Sequence, residues 1–301
     1  MSVAVVTDST ACLPAGAAQE LGISVVPLQV ALGRRHGFEG VDISPADVAD
    51  ALRNKVSVTT SRPSPAEFAR VYRQALDAGA ARVVSVHLSA ALSGTWEAAS
   101  LAAQDFDHGV VRVIDSRTTA MALGFAALAA ARTARAGAAA ERVQQVAVAT
   151  ADATRAYFCV DSLAYLRRGG RIGTATALLA TSLSVKPVLQ LANGRIGPVE
   201  KVRTLSAART RLVRLSAQAA GAAGSAGSVA AAGVDGVVDP GPVDVAVQHL
   251  AAPERADELA DRLRGAITNL GELRVGEIGA VLGAHLGPGT VGVVILRAAH
   301  G

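Results

Sequence analysis

The chain has 301 residues, of which half are apolar and 18% are charged, so it is globular rather than disordered and long enough for two domains. The net charge of +4 is too small and too dispersed to predict a nucleic-acid-binding surface. An aromatic content of 3% also argues against stacking platforms for nucleic-acid bases.

The amino-terminal segment does not resemble a secretion signal, because it lacks basic residues and Asp8 interrupts its apolar run. The longest apolar stretch, at 120–131, is too short to span a bilayer. Cys12 and Cys159 fit no metal or redox spacing and are expected to be reduced thiols. We therefore expect a cytoplasmic protein with no integral membrane segment, whose contacts with membranes are at most transient.

The first half of the chain alternates strand and helix patterns, which is the order of a mostly parallel sheet with helices on both faces. Strand patterns occur at 3–7, 81–88 and 110–115. Helix patterns occur at 14–21, 65–78, 93–104 and 118–136. A serine cap followed by a proline and an acidic residue marks two helix starts, at Ser44 and Ser64. The sequence predicts an α/β domain over residues 1–150.

The second half is richer in strands and predicts an α+β domain over residues 151–301. Strand patterns occur at 157–161, 185–191, 197–204, 243–250, 273–279 and 290–296. Asn193 and Gly194 stand between two apolar runs and predict a hairpin, so we expect a mixed or antiparallel sheet. A helix is predicted near 206–216. Residues 217–242, rich in Ala, Gly and Ser, predict a mobile loop that begins as helix.

Hydroxyl side chains occur where ligands of α/β sheets usually bind, beyond the carboxyl ends of strands. Ser9 follows the first strand directly, Ser93 stands at the head of a helix, and Thr60 and Ser61 precede the Ser64 cap. Hydroxyls together with unpaired helix-terminal amides favour a small anion such as a carboxylate or a phosphate. A serine at a helix start is more often a simple cap, so no single cluster identifies a site.

His285 lies among glycines and a proline, which let the backbone turn tightly and place the imidazole at a cleft. The alternative is a turn histidine that faces solvent. Basic residues are concentrated in segments 165–173 and 194–214. These segments form either a solvated face or a surface that guides an acidic or phosphate-bearing partner.

The sequence lacks the motifs of the common enzymes. It has neither a G-x-x-x-x-G-K-[ST] phosphate loop nor a G-x-G-x-x-G after a strand, and no group of His, Cys and carboxylates has metal-ligand spacing. A hydrolase triad of Ser93, His285 and Asp8 is disfavoured because the residues around Ser93 lack the G-x-S-x-G elbow. We therefore predict no catalytic residue, no metal and no cofactor.

The ordered motifs nevertheless resemble those of one family. The segments VTDSTACLP, VTTSRPSPAEF, LSAALSGTWEAA, VIDSRT, LRRGGRIG, VKPVLQLANGRI and HLGPGTVGV occur in the order seen in the DegV family, from about residue 3 to 296. The chain resembles the fatty-acid-binding subunits of bacterial fatty-acid kinases. The resemblance implies a two-domain DegV-like fold in which a fatty acid lies between the domains, with the carboxyl-terminal domain covering the lipid and the carboxylate near the surface.

The resemblance also implies roles for individual residues. Thr60, Ser93 and His285 match the groups that bind the carboxylate, and Ser61 and Ser9 lie in matching motifs. Two arginines match positions associated with kinase docking or phosphotransfer, Arg171 and Arg203. The implied function is a carrier, not itself an enzyme, that binds a long-chain fatty acid and presents it to a separate ATP-dependent kinase subunit, which forms the acyl phosphate.

The chain departs from the family at several positions near these motifs. The family often has an acid at Cys12, a glutamine at Arg62, a tyrosine at Trp96, and Ser-Gly at Ala90 and Ala91. Arg62, beside Thr60, adds a positive charge near the expected head group. The alternative functions are a stand-alone enzyme acting on a small phosphorylated or carboxylated metabolite, and a structural or regulatory interaction protein.

Overall fold

The computed structural model describes residues 2–178, 186–221 and 241–297. Its strands are β1 (Val3–Asp8), β2 (Ile23–Val26), β3 (Gln29–Leu32), β4 (Arg35–Phe38), β5 (Val58–Ser61), β6 (Arg82–His87), β7 (Val111–Asp115), β8 (Thr154–Cys159), β9 (Lys186–Ala192), β10 (Arg195–Val202), β11 (Val243–His249), β12 (Leu270–Glu277) and β13 (Val291–Arg297). Its α-helices are α1 (Ala17–Leu21), α2 (Pro45–Arg53), α3 (Pro65–Asp77), α4 (Thr95–Ala103), α5 (Met121–Arg135), α6 (Ala140–Ala153), α7 (Ala164–Arg168), α8 (Leu205–Ala219), α9 (Pro253–Ala266) and α10 (Ala280–Leu286).

The first sheet has the strand order β2-β1-β6-β7, and all of its neighbouring strands are parallel. Successive residues of β1 point to opposite faces, so Val6 packs with α3 and α4 while Val5 packs with α5 and α6. The predicted parallel sheet with helices on both faces is confirmed. The predicted helix starts at Ser44 and Ser64 are also confirmed, and each forms a complete capping box.

The second sheet has the order β10-β9-β8-β13-β11-β12 and is antiparallel except for the β11–β12 pair, which confirms the predicted mixed sheet. The hairpin at Asn193 and Gly194 is confirmed, with φ of 50° and 76° as a tight hairpin turn requires. Helices α8 and α9 cover one face. On the other face Ala246 and Val294 join the core of α5 and α6, so these two helices lie between both large sheets.

A third, small antiparallel sheet with the order β4-β3-β5 was not predicted. Its strands have four residues each, and segments such as RHGF and VTTS carry too few apolar residues to show a strand pattern. Helices α2 and α10 cover the sheet, so that Val30 of β3 and Val58 of β5 pack in one cluster with Val281 of α10. This sheet is important for the site because β5 carries Thr60 and Ser61.

The sequence patterns also failed to predict two long helices, α6 and α9. The domain boundary near residue 150 stays a prediction, and it falls close to the end of α6 at Ala153. Most of the predicted mobile loop lies outside the described residues, although α8 does provide its helical start. Among the described residues, no helix has the length and apolar content needed to cross a bilayer.

Candidate functional site

One cavity contains most of the residues that the sequence predicts to bind a ligand. It holds about 1020 Å³ of space, including its open mouth, and lies between the six-stranded sheet, α10, β5 and the loop before α4. The predicted residues that line it are Thr60, Ser61, Ser93, Arg171 and His285. Most of its other lining residues are aliphatic, so the cavity is largely apolar, and we call the region where these five residues lie its polar end.

The floor of the cavity consists of two neighbouring rows of side chains on one face of the six-stranded sheet. Directly paired residues of β10, β9, β8 and β13 form the first row: Ile196, Leu191, Ala156 and Val294. The second row consists of Phe158, Gly292 and Gln248. Ala156 and Gly292 stand in the middle of these rows, and their small size leaves a groove between larger neighbours. The sheet register therefore creates the space of the cavity.

At the polar end, His285 Nε2 lies 2.9 Å from Thr60 Oγ1. The imidazole occupies the last turn of α10 rather than the predicted tight turn, because the helix continues until Gly287 ends it at φ of 80°. Burial, together with the positive charge of Arg171, lowers the pKa of His285 to about 4. The imidazole is therefore neutral at pH 7 and acts as a hydrogen-bonding group rather than as a cation.

This pKa predicts that His285 makes the protein less stable in acid. Its pKa is about 6.5 in the unfolded chain and about 4 in the folded one, so the unfolded chain binds the extra proton between these values. The stability is fully present above pH 6.5, and we expect up to about 3 kcal/mol to be lost as the pH falls towards 4. This loss is measured as the free energy of urea unfolding of the wild type and of His285→Gln at several pH values. Identical pH dependence in both would contradict the prediction.

Ser93 also lines the cavity, two residues before the start of α4. Its Oγ is 2.9 Å from Oγ1 of Thr95, the first residue of the helix. The N-cap residue Gly94 supplies no side-chain acceptor, so the first-turn amides of α4 keep their positive partial charge close to Ser93. A neutral hydroxyl beside a helix amino terminus suits an anionic ligand.

The loop that carries Ser93 is tied to several elements of the fold. Leu88 N donates to Asp8 Oδ2 over 3.0 Å, which fixes the start of the loop to β1. Ser89 Oγ donates to the carbonyl of Gly194 in the β9–β10 hairpin. Arg171 Nε donates to the carbonyl of Leu92, next to Ser93. The loop is therefore held by both large sheets at once.

Arg171 connects the loop that carries Ser93 with the segment that lies beside His285. Besides its bond to Leu92, its guanidinium donates through Nη1 to the carbonyl of Gly169, over 2.6 Å. Gly169 lies against the imidazole of His285, where a Cβ would come within 2.1 Å of Nδ1. Arg171 thus sits at the cavity wall with its charge directed at the polar end, and its predicted role in phosphotransfer stays a prediction.

Ser9 and Arg203 lie apart from the residues that line the cavity. Ser9 Oγ accepts the N–H of Leu28 over 3.0 Å, behind the cavity wall. Arg203 is exposed after the end of β10. The structure therefore brings five of the seven predicted residues together, and the predicted roles of Ser9 and Arg203 stay untested.

The hydrolase alternative receives no support from the geometry. His285 bonds Thr60, and Ser93 bonds Thr95. The carboxylate of Asp8 lies 3.0 Å from Nδ1 of a different histidine, His87, which is fully buried in β6. A triad needs its three members in one hydrogen-bonded chain, and these residues are not so arranged.

Several residues at the site were not predicted from the sequence. The floor residues Ala156 and Gly292 show no motif, since only the strand register brings them together. Gly169 belongs to the recognised RRGGRI segment, but its contact with His285 depends on the fold. Glu39, whose pKa burial raises, accepts the N–H of Val281 and so holds the start of α10. Among the described residues, no cluster of side chains suited to a metal ion is found.

Comparison with known proteins shows relatives of the same length and fold. The family model described as "Uncharacterised protein, DegV family" matches residues 2–298. A DegV domain-containing protein of Streptomyces coelicolor is 52% identical over 293 residues, covering 97% of this chain and 98% of the relative.

Solved structures agree with these sequence matches. A DegV family protein from Thermus thermophilus, described by its fatty acid binding, matches with a TM-score of 0.88 at 32% identity, covering 99% of this chain and 100% of that one. DegV from Bacillus subtilis, described as a fatty acid binding protein, matches with a TM-score of 0.85 at 31% identity, covering 99% of each chain.

Proposed function

The chain belongs to the DegV family, and on that premise we propose that it is a carrier that binds a long-chain fatty acid and presents the carboxylate to a separate ATP-dependent kinase. The observation that carries the proposal is a cavity whose lining is mostly aliphatic and whose predicted binding residues lie together at its polar end. Two relatives of known structure are described as binding fatty acids, which supports the same ligand class.

The apolar part of the cavity supplies most of the binding free energy. Each buried methylene contributes about 0.8 kcal/mol, so a tail of about fourteen methylenes contributes on the order of 11 kcal/mol. A hydrogen bond to a charged head contributes about 1.5–3 kcal/mol. The tail therefore determines whether the ligand binds, and the polar end determines which way it faces. A small metabolite has no tail to fill the aliphatic part, which favours the carrier over the alternative enzyme.

The polar end is suited to accept a carboxylate without a proton transfer. When neutral His285 donates from Nε2 to Thr60, the hydroxyl hydrogen of Thr60 is free to donate to the ligand. When Thr95 donates to Ser93, the hydroxyl of Ser93 is free in the same way. The two hydroxyls are then available to hold the carboxylate, while Ser61 and Arg171 line the same cavity.

Binding is tested directly on the purified protein. Mass spectrometry of the extracted lipid is expected to show about one long-chain fatty acid per chain, and the gently delipidated protein is expected to bind hexadecanoic acid again in calorimetry. A delipidated, folded protein that takes up no long-chain fatty acid contradicts the proposal. A small phosphorylated or carboxylated metabolite released instead of a lipid favours the alternative enzyme.

Presentation to a kinase is tested with Ser93→Ala. The affinity for the fatty acid is expected to fall by less than about tenfold, since one hydrogen bond is lost and the tail remains. Acyl phosphate formation by a fatty-acid kinase at saturating lipid is expected to fall by about 100-fold, because a misplaced carboxylate reacts poorly. Ser100→Ala, later in α4 and outside the cavity lining, is the control. Equal phosphorylation of Ser93→Ala and wild type refutes this role.

A further inference from the structure

Arg62 is a partly exposed cation at the mouth of the cavity, and the proposed function assigns no role to it. It lines the cavity next to Ser61, and its side chain is 53% exposed. Its Nη1 donates to the carbonyl of Gly94 and to Oε2 of Glu97, both over 3.1 Å. These contacts connect the end of β5 with the first turn of α4, across the side of the mouth where Ser93 stands.

The local backbone is shaped for this contact. A Cβ at position 94 would lie 2.1 Å from Nη1 of Arg62, so glycine at this position lets the guanidinium reach the carbonyl. Within the described part of the chain, Nε and Nη2 of Arg62 have no hydrogen-bond partner. A guanidinium has five donors, so Arg62 keeps donors for a ligand while Nη1 remains bonded to Glu97.

We propose that Arg62 favours ligands whose head group carries negative charge, and that the carboxylate of Glu97 weakens this preference by offsetting the charge of the guanidinium. The inference rests on the proposed function, because it assumes a long-chain ligand whose head lies at the polar end. Thr60, Ser93 and neutral His285 orient the head by hydrogen bonds, whereas Arg62 adds an attraction that grows with negative charge. The favoured ligand is an amphiphile with an anionic head, and a dianionic phosphate gains more than a carboxylate.

The test uses three ligands with the same tail and different head charges: 1-dodecanol, dodecanoic acid and dodecyl phosphate. Trp96 is the only tryptophan of the chain and neighbours Glu97, so its fluorescence is expected to change as each ligand is added to the delipidated protein, with calorimetry as the second measurement. Arg62→Gln is expected to lower the affinity for the alcohol by less than twofold, for the acid by about fivefold, and for the phosphate by about tenfold or more. Arg62→Lys, which keeps the charge, is expected to lie between the wild type and Arg62→Gln.

Glu97→Gln is the matched variant, because it removes the opposing negative charge and leaves the arginine. This variant is expected to raise the affinity for dodecanoic acid by about twofold to threefold. The gain in affinity is expected to vanish in 0.5 M salt or when Arg62 is also replaced by glutamine. Equal weakening of all three ligands by Arg62→Gln, or no weakening of the phosphate, overturns the inference. If the wild type binds none of the three ligands, the proposed function itself fails.

Discussion

Ala156→Phe is expected to weaken the binding of hexadecanoic acid by more than 100-fold while the protein stays folded. Ala156 lies in the middle of the floor, directly paired with Val294 on one side and Leu191 on the other. A phenyl ring there fills the groove and displaces about four to six methylenes of the tail, which is about 3–5 kcal/mol of lost burial. Calorimetric titration of the delipidated variant measures the loss.

The length of the ligand provides the internal control for this substitution. Octanoic acid, whose tail reaches less far into the cavity, is expected to lose much less affinity than hexadecanoic acid. Ala192→Phe places the same ring on an exposed position at the end of β9 and is expected to leave binding unchanged. Unchanged affinity of Ala156→Phe for hexadecanoic acid would show that the tail does not lie along this floor.

Gly169→Ala is expected to disrupt the polar end, with about a tenfold or larger loss of fatty-acid affinity. The new methyl group would meet the imidazole of His285 at 2.1 Å from Nδ1 and 2.9 Å from Cε1, so the ring must rotate away. Rotation breaks the hydrogen bond to Thr60 and removes two of the groups that orient the carboxylate. The same clash is expected to lower the free energy of unfolding by about 1–3 kcal/mol.

A double-mutant cycle separates this clash from a general effect of alanine at a glycine. In the His285→Ala background the imidazole is gone, so Gly169→Ala is expected to cost little stability. Gly265→Ala in α9 has nothing within 4 Å of its new Cβ and is expected to stabilise the helix slightly. An equal loss of stability from Gly169→Ala with and without His285 would contradict the proposed contact.

The sequence was most informative where the structure depends on local chemistry. The capping boxes at Ser44 and Ser64, the Asn193-Gly194 turn and the buried strand β1 each follow from a few neighbouring residues. The small sheet was missed because its strands are stabilised by burial under α2 and α10 rather than by their own apolar pattern. Helix α10 was missed because the glycines around His285 predict a turn when its packing is unknown.

The candidate site also combines features that local sequence predicts with features that depend on long-range packing. Thr60, Ser93 and His285 were found through hydroxyl clusters, an unusual histidine and the family resemblance, and the structure places them at one end of one cavity. Ala156 and Gly292 are ordinary small residues whose importance depends on long-range strand register. Apart from the hairpin at Asn193 and Gly194, the sequence does not indicate which strands of this sheet are neighbours, so most of the cavity floor could not be predicted from it.

The position of α5 and α6 between the two large sheets has a consequence for how the molecule unfolds. A single cluster of buried side chains runs from Val5 in the first sheet through Leu123 to Val294 in the second. Neither half can lose its structure without exposing apolar surface of the other. Heating is therefore expected to give one calorimetric transition, and a lipid bound in the cavity is expected to raise the melting temperature of the whole chain.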